Sequence, residues 1–247
     1  MIDTHAHLTA LDDADEAVAR AAEAGVTRIL TVGTDVEDCR RALALADRHE
    51  GVFAILGIHP HEAGTSTKDD LAALRELLAH PKAVAIGETG LDWYRDYASP
   101  DDQRRLFAAQ LDLAAELGKP VVIHTRAADD DTLAGLVDFT GTVVLHCFSS
   151  PHLLPVALER GWYVSFAGNA TYPKAVDLRL AASQVPAERF LAETDSPYLA
   201  PQAVRGKTNE PAHVVHTLAA LAQARGEEPA ELESRIERNA AECFSLP

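Results

Sequence analysis

Residues 1–8 read Met1-Ile2-Asp3-Thr4-His5-Ala6-His7-Leu8, a short run in which two histidines stand two residues apart. On a strand, alternate side chains share a face, so His5 and His7 point the same way. Two imidazoles on one face make a chelating pair suited to Zn, Fe, Mn, Ni or Cu. Such pairs also occur on ordinary surfaces. This one gains weight because the chain repeats a related event: a short apolar run that ends in a histidine or a carboxylate.

Further runs of this kind are expected as strands at residues 27–32, 52–58, 83–86, 120–123, 142–145, 162–166 and 189–192. They are short, β-branched and nearly all apolar, as strands covered on both faces should be. Between them lie helical stretches at 12–24, 36–49, 67–79, 100–117, 127–139, 151–160 and 174–184. Glycines such as Gly25, Gly51, Gly118 and Gly161 stop several of these units, and Thr67 starts one as an N-cap. Two helices, at 211–225 and 229–244, close the chain. Eight strand-then-helix units without a linker or low-complexity tract predict a single (β/α)8 TIM barrel over residues 1–247. A doubly wound open sheet is the alternative, but no glycine-rich dinucleotide loop follows the first strand.

The barrel fold gives the strand ends their meaning, because they converge on one mouth. At those ends stand His5 and His7, His59, Glu88, His124, His146 and Asp195. Buried together without a cation, the carboxylates would repel and the imidazoles would lack partners. A catalytic zinc usually takes three protein ligands plus water, and here there are at least six candidates, so two divalent cations are expected. Glu88, from a middle strand, is the natural bridge between ions roughly 3.5–4 Å apart. His5, His7 and Asp195 would complete one shell, since first and last strands are neighbours in a closed barrel. His124 and His146 would complete the other. Asp195 can also accept the proton of an attacking water, which makes Asp195 and Glu88 the catalytic candidates. Mg²⁺, Mn²⁺ and Zn²⁺ all suit this mixture of imidazole and carboxylate.

Composition narrows the function further. The 247 residues include 38 Asp and Glu against 22 Lys and Arg, a formal net charge of -16. So acidic a surface repels nucleic acid, and a polyanionic substrate must be held by locally concentrated positive charge, bound metal included. The three cysteines, Cys39, Cys147 and Cys243, form no C-x-x-C pair, which argues against a disulfide framework and a thiolate zinc site. With no apolar run of membrane-spanning length and no leader-like start, a cytoplasmic location is expected.

Taken together, DTHAHL, GIHPHEA, GETGLDWYRD, PVVIHTR, LHCFS, ETDSPYLAP and RGKTNEP, in this order, resemble the TatD family of metal-dependent deoxyribonucleases. The resemblance spans essentially the whole chain. It implies a TIM barrel with divalent metals at its mouth and hydrolysis of phosphodiester bonds in DNA, commonly as a 3′→5′ exonuclease. It also implies His5, His7, Glu88 and Asp195 on one metal, and Glu88, His124 and His146 on the other. Thr89 departs from the small apolar residue expected there.

Other residues carry weaker claims. His59 at its strand end is expected to contact substrate phosphate or support the metal shell, with His61 left open. Arg95, Arg126, Arg205 and Lys207 follow mouth-facing strands and are candidate phosphate contacts, since a guanidinium fork matches phosphate oxygens. Trp93, Tyr94 and Tyr198 could stack on an unpaired base or pack the rim. Cys147, next to His146, should point to the opposite face as buried packing. The expected partner is DNA, single-stranded or with frayed ends. The same metal pair could instead cleave a carbonyl ester such as the aminoacyl-tRNA bond, and a non-catalytic metal-binding scaffold is a third reading.

Overall fold

In the computed structural model, which describes residues 1–247, the apolar runs become eight strands. They are β1 Ile2–Ala6, β2 Arg28–Gly33, β3 Val52–Leu56, β4 Ala83–Asp92, β5 Val121–Arg126, β6 Val143–Leu145, β7 Tyr163–Phe166 and β8 Phe190–Ala192. Each pairs in parallel with the next, in sequence order. The helices between and after them are α1 Ala14–Glu23, α2 Val36–Arg48, α3 Lys68–Leu77, α4 Pro100–Leu117, α5 Asp129–Gly135, α6 Leu154–Glu159, α7 Val176–Gln184, α8 Val214–Arg225 and α9 Pro229–Phe244. The expected (β/α)8 barrel is the observed architecture. No helix is long and apolar enough to cross a membrane.

Local chemistry explains where helices begin. Asp13, Asp35, Thr67 and Ser99 each accept a first-turn backbone N–H, and Thr67 forms a reciprocal capping box with Asp70. The strands bury Ile2, Leu30, Ile55, Leu56, Ile86, Phe166 and Phe190 almost completely. Truncating one of these leucines to alanine is worth about 2–5 kcal/mol.

The barrel closes between β1 and β8 through polar groups. Ala6 bridges Ser196, the His7 N–H donates to Ser196 O at 2.7 Å, and the Asp195 N–H donates to His5 O at 2.9 Å. Asp3, fully buried, accepts from the Thr194 N–H at 2.8 Å and the Thr194 hydroxyl at 2.6 Å. Burial pushes the Asp3 carboxyl up to about 8, against the pull of the Thr194 hydrogen bonds. These bonds bring His5, His7 and Asp195 side by side.

Several boundaries differ from expectation. β4 runs on to Asp92 rather than stopping at 86, past Gly87 and Gly90. Gly90 is required there, because a Cβ would meet His124 O at 2.0 Å, so β4 and β5 approach closely beneath the site. α5 ends at Gly135, short of the expected 139, and the first turns of the stretches at 151 and 211 are 3₁₀ rather than α.

Candidate metal centre

Glu88 lies at the centre of the mouth, 3% exposed, and its two oxygens face different partners. Oε1 is 2.5 Å from His124 Nδ1 and 2.8 Å from His146 Nε2, with His59 Nε2 at 3.6 Å. Oε2 is 3.6 Å from His5 Nε2 and 3.7 Å from His7 Nε2. Asp195 Oδ1 faces the same pair, at 3.4 Å from His7 and 3.9 Å from His5. Asp195 takes a left-handed backbone (φ 54), which an aspartate tolerates better than most residues.

Two of the imidazoles have a carboxylate behind them. His124 Nε2 is 3.2 Å from Asp92 Oδ2, and His146 Nδ1 is 3.2 Å from Glu193 Oε1. A carboxylate that accepts one ring proton keeps that side of the ring protonated, so the opposite, inward nitrogen is the one a cation can claim once its own proton is lost. His124 therefore presents Nδ1 to Glu88, and His146 presents Nε2. Asp92 is itself locked, accepting from His61 Nε2 at 2.8 Å and from the N–H groups of Tyr94 and Arg95.

The donor set fits divalent cations. In a tetrahedral shell with 2.0–2.1 Å bonds, neighbouring donors stand about 3.3 Å apart. His5 Nε2 and His7 Nε2 are separated by 3.4 Å, and their distances to Glu88 and Asp195 run from 3.4 to 3.9 Å. His5 Nδ1 is buried without a partner. The constellation also draws positive charge. Burial alone would raise the Glu88 carboxyl, but His146, His59 and His124 hold it well below the usual range. Burial alone would lower His146, but Glu88 and Glu193 hold it well above its ordinary value. His124 and His7 are raised in the same way, each against burial.

The expected residues thus come together. Potential donors fall into three overlapping sets: His5, His7 and Glu88; His5, His146 and Asp195; and His59, Glu88 and His124. His146 stacks on His5, with ring centroids 4.0 Å apart, and so sits between the two halves. His59 lies beside His124 at 4.6 Å, and burial pushes its imidazole down to about 4.

Around this centre opens a cavity of about 890 Å³. Arg95 and Arg126 line it, and both stack on Tyr94, at 5.2 and 3.9 Å from the ring centroid. Arg205 and Lys207 are exposed on the loop after β8 and do not line the cavity; Arg205 lies over Tyr172 at 4.2 Å. Tyr97 and Tyr198 stand at the rim, 64% and 57% exposed, while Trp93 is tied down by a bond to Asp131 at 2.9 Å. Cys147 contradicts the expectation of buried packing. Its left-handed backbone (φ 44) departs from strand alternation, and the residue lines the cavity.

Asp92, Glu193 and Arg41 escaped the sequence reading. Asp92 follows Glu88 by four residues on one strand, so parity of spacing marks it, whereas Glu193 lies just beyond the end of β8. Arg41 reaches the cavity from α2, held by Asp38 at 2.9 Å, and nothing in the sequence marks it.

The family described as TatD related DNase matches residues 2–245. The chain belongs to that family. It is therefore a hydrolytic enzyme, and its relatives agree. The 3′-5′ ssDNA/RNA exonuclease TatD of Cronobacter sakazakii is 40% identical over 94% of this chain and 92% of its own length. A metal-dependent hydrolase TatD of Mycobacterium tuberculosis, itself uncharacterized, is also 40% identical, over 100% of this chain and 98% of its own. Among solved structures, the TatD homolog YjjV from Escherichia coli superposes with a TM-score of 0.94 at 31% identity, covering 100% of this chain and 98% of that one.

Proposed function

We propose that residues 1–247 form one cytoplasmic hydrolase domain that uses two divalent cations to release nucleotides from the 3′ end of single-stranded nucleic acid, DNA foremost. The observation that carries this reading is Glu88, whose two oxygens serve two separate pairs of imidazoles at the mouth of a TatD-family barrel. His5, His7, Glu88 and Asp195 would hold one cation, and Glu88, His124 and His146 the second. When bound, the cations would lower the pKa of a water and polarise a phosphoryl oxygen.

The chain's own groups do the rest. Asp195, held below the ordinary carboxylate value by His7 despite burial, stays ionised and can take the proton of the attacking water. Asp92 and Glu193 fix the rings of His124 and His146. Arg126 and Arg95, stacked on Tyr94, offer guanidinium forks to the phosphates that flank the scissile bond. They place positive charge at the lip of an otherwise acidic protein.

The test is release of nucleotide from 5′-labelled single-stranded DNA with Mg²⁺, Mn²⁺ or Zn²⁺ added singly after chelation. Stepwise shortening from the 3′ end is expected. Release of an amino acid from aminoacyl-tRNA, with the DNA left intact under every metal, would overturn the reading.

A further inference from the structure

We infer that His59 meets the substrate rather than a metal ion: its ring is held as the Nε2–H tautomer, and that N–H donates to a non-bridging oxygen of the scissile phosphate. The nuclease reading supplies only the name of the acceptor; the state of the ring follows from its own hydrogen bond.

His59 caps a 3₁₀ turn, Pro60–Glu62. Pro60 has no N–H, so the first donor the turn offers belongs to His61, and it donates to His59 Nδ1 at 3.1 Å. A backbone N–H can only donate. Nδ1 must therefore present its lone pair, and the single proton of the ring sits on Nε2. A nitrogen that carries a proton has no lone pair for a cation. Proximity alone would make His59 a third donor beside Glu88 and His124, and the proton's position decides against it.

The neighbouring histidines have the opposite arrangement. Carboxylates stand behind His124 and His146 and accept the outer N–H, so the inner nitrogen is the one that can give up its proton to a cation. A donor stands behind His59 and forces the proton inward. The ring cannot turn away easily, because it is wedged edge-on between His61 and His124, at 4.2 and 4.6 Å. The inward N–H has no acceptor within hydrogen-bond distance, since Glu88 Oε1 is 3.6 Å away, and the residue lines the cavity. A fixed donor beside the place where phosphoryl oxygens gather charge stabilises the transition state more than the ground state.

Three measurements test this. In metal-free ¹⁵N-labelled protein, long-range ¹H–¹⁵N imidazole spectra, assigned against His59→Gln, should show His59 protonated on Nε2 alone. Titration of Mn²⁺ into wild type, His59→Gln and His59→Ala should give the same stoichiometry, with affinities within about threefold, well short of the 10–100-fold that even an outer-shell partner costs. Turnover of single-stranded DNA should fall about 100-fold in His59→Ala, as for loss of one oxyanion donor, and mostly in kcat. His59→Gln, whose amide N–H reaches the same place, should recover at least about tenfold of that loss. An Nδ1–H tautomer, the loss of one Mn²⁺ in His59→Ala, or equal losses of turnover in Gln and Ala overturns the inference about His59 alone. Wild-type protein that binds Mn²⁺ but cleaves no nucleic acid overturns the nuclease reading, and the phosphate as acceptor goes with it.

Discussion

The two halves of the candidate metal centre are built in different ways. The His5–His7–Asp195 half stands open, with donors spaced 3.4 to 3.9 Å apart, and His5 has nothing behind its buried Nδ1. In the His124–His146 half the rings are oriented by Asp92 and Glu193, and they close on Glu88 at 2.5 and 2.8 Å. One half has spacing without orientation. The other has orientation, with protons in the positions that a cation would claim. Loading either half must expel protons, from His7 in the first and from His124 and His146 in the second, but only the second has its rings already oriented.

The largest effect should come from the residue the halves share. Glu88→Ala should remove metal-stimulated nuclease activity altogether and flatten the Mn²⁺ binding isotherm; one surviving full-affinity phase would mean the halves do not share it. Next comes Asp195→Asn, which belongs to the open half and the proton transfer. Turnover should fall by roughly 10²–10⁴-fold, while single-stranded DNA still binds, as anisotropy would show. Asp92→Asn and Glu193→Gln should then weaken only the oriented half, by about 10–100-fold in metal affinity, and leave the other binding phase in place. Calorimetry that shows both phases shifted equally would erase the distinction between the halves.

pH acts on both halves. His146, His124 and His7 titrate above their unfolded value. In metal-free protein their contribution to stability is full below about 6.5 and fades as pH rises through the folded values. Cation binding needs the same rings neutral. The melting temperature gained on adding Mn²⁺ should therefore widen from pH 6 to pH 8. A gain that shrinks over that range would mean protons do not occupy these imidazoles. The smallest effect is expected at the lip: Arg126→Ala should reduce the salt slope of single-stranded DNA binding by about 0.7, one phosphate contact.

Much of this was legible in the sequence because a parallel barrel turns strand order into spatial convergence. His5, His7, Glu88, His124, His146 and Asp195 could be singled out from their place after apolar runs, and so could the fold. What stayed hidden depended on backbone detail. β4 runs past the expected end at 86 to Asp92, because Gly87 and Gly90 let neighbouring strands approach beneath the site. Cys147 was assigned to the wrong face because a left-handed residue breaks alternation, and side-chain type gives no warning of that in a cysteine. Asp92 is marked by strand parity with Glu88, while Glu193 lies beyond the end of β8, where parity no longer applies. Arg41 had no mark, since it arrives from a helix. Arg205 and Lys207, candidate phosphate contacts by order along the chain, stand exposed on the loop after β8, outside the cavity wall.

The seam between Asp3 and Thr194 joins points 191 residues apart. His5 and His7 cannot face Asp195 until that seam forms, so a growing polypeptide carries its histidines long before it can assemble a working centre. Such distant pairing is slow to form. It also makes competence all-or-none: a ribosome-bound fragment that ends before β8 should be harmless to the nucleic acid around it, and cutting skill should appear only when the ring is complete.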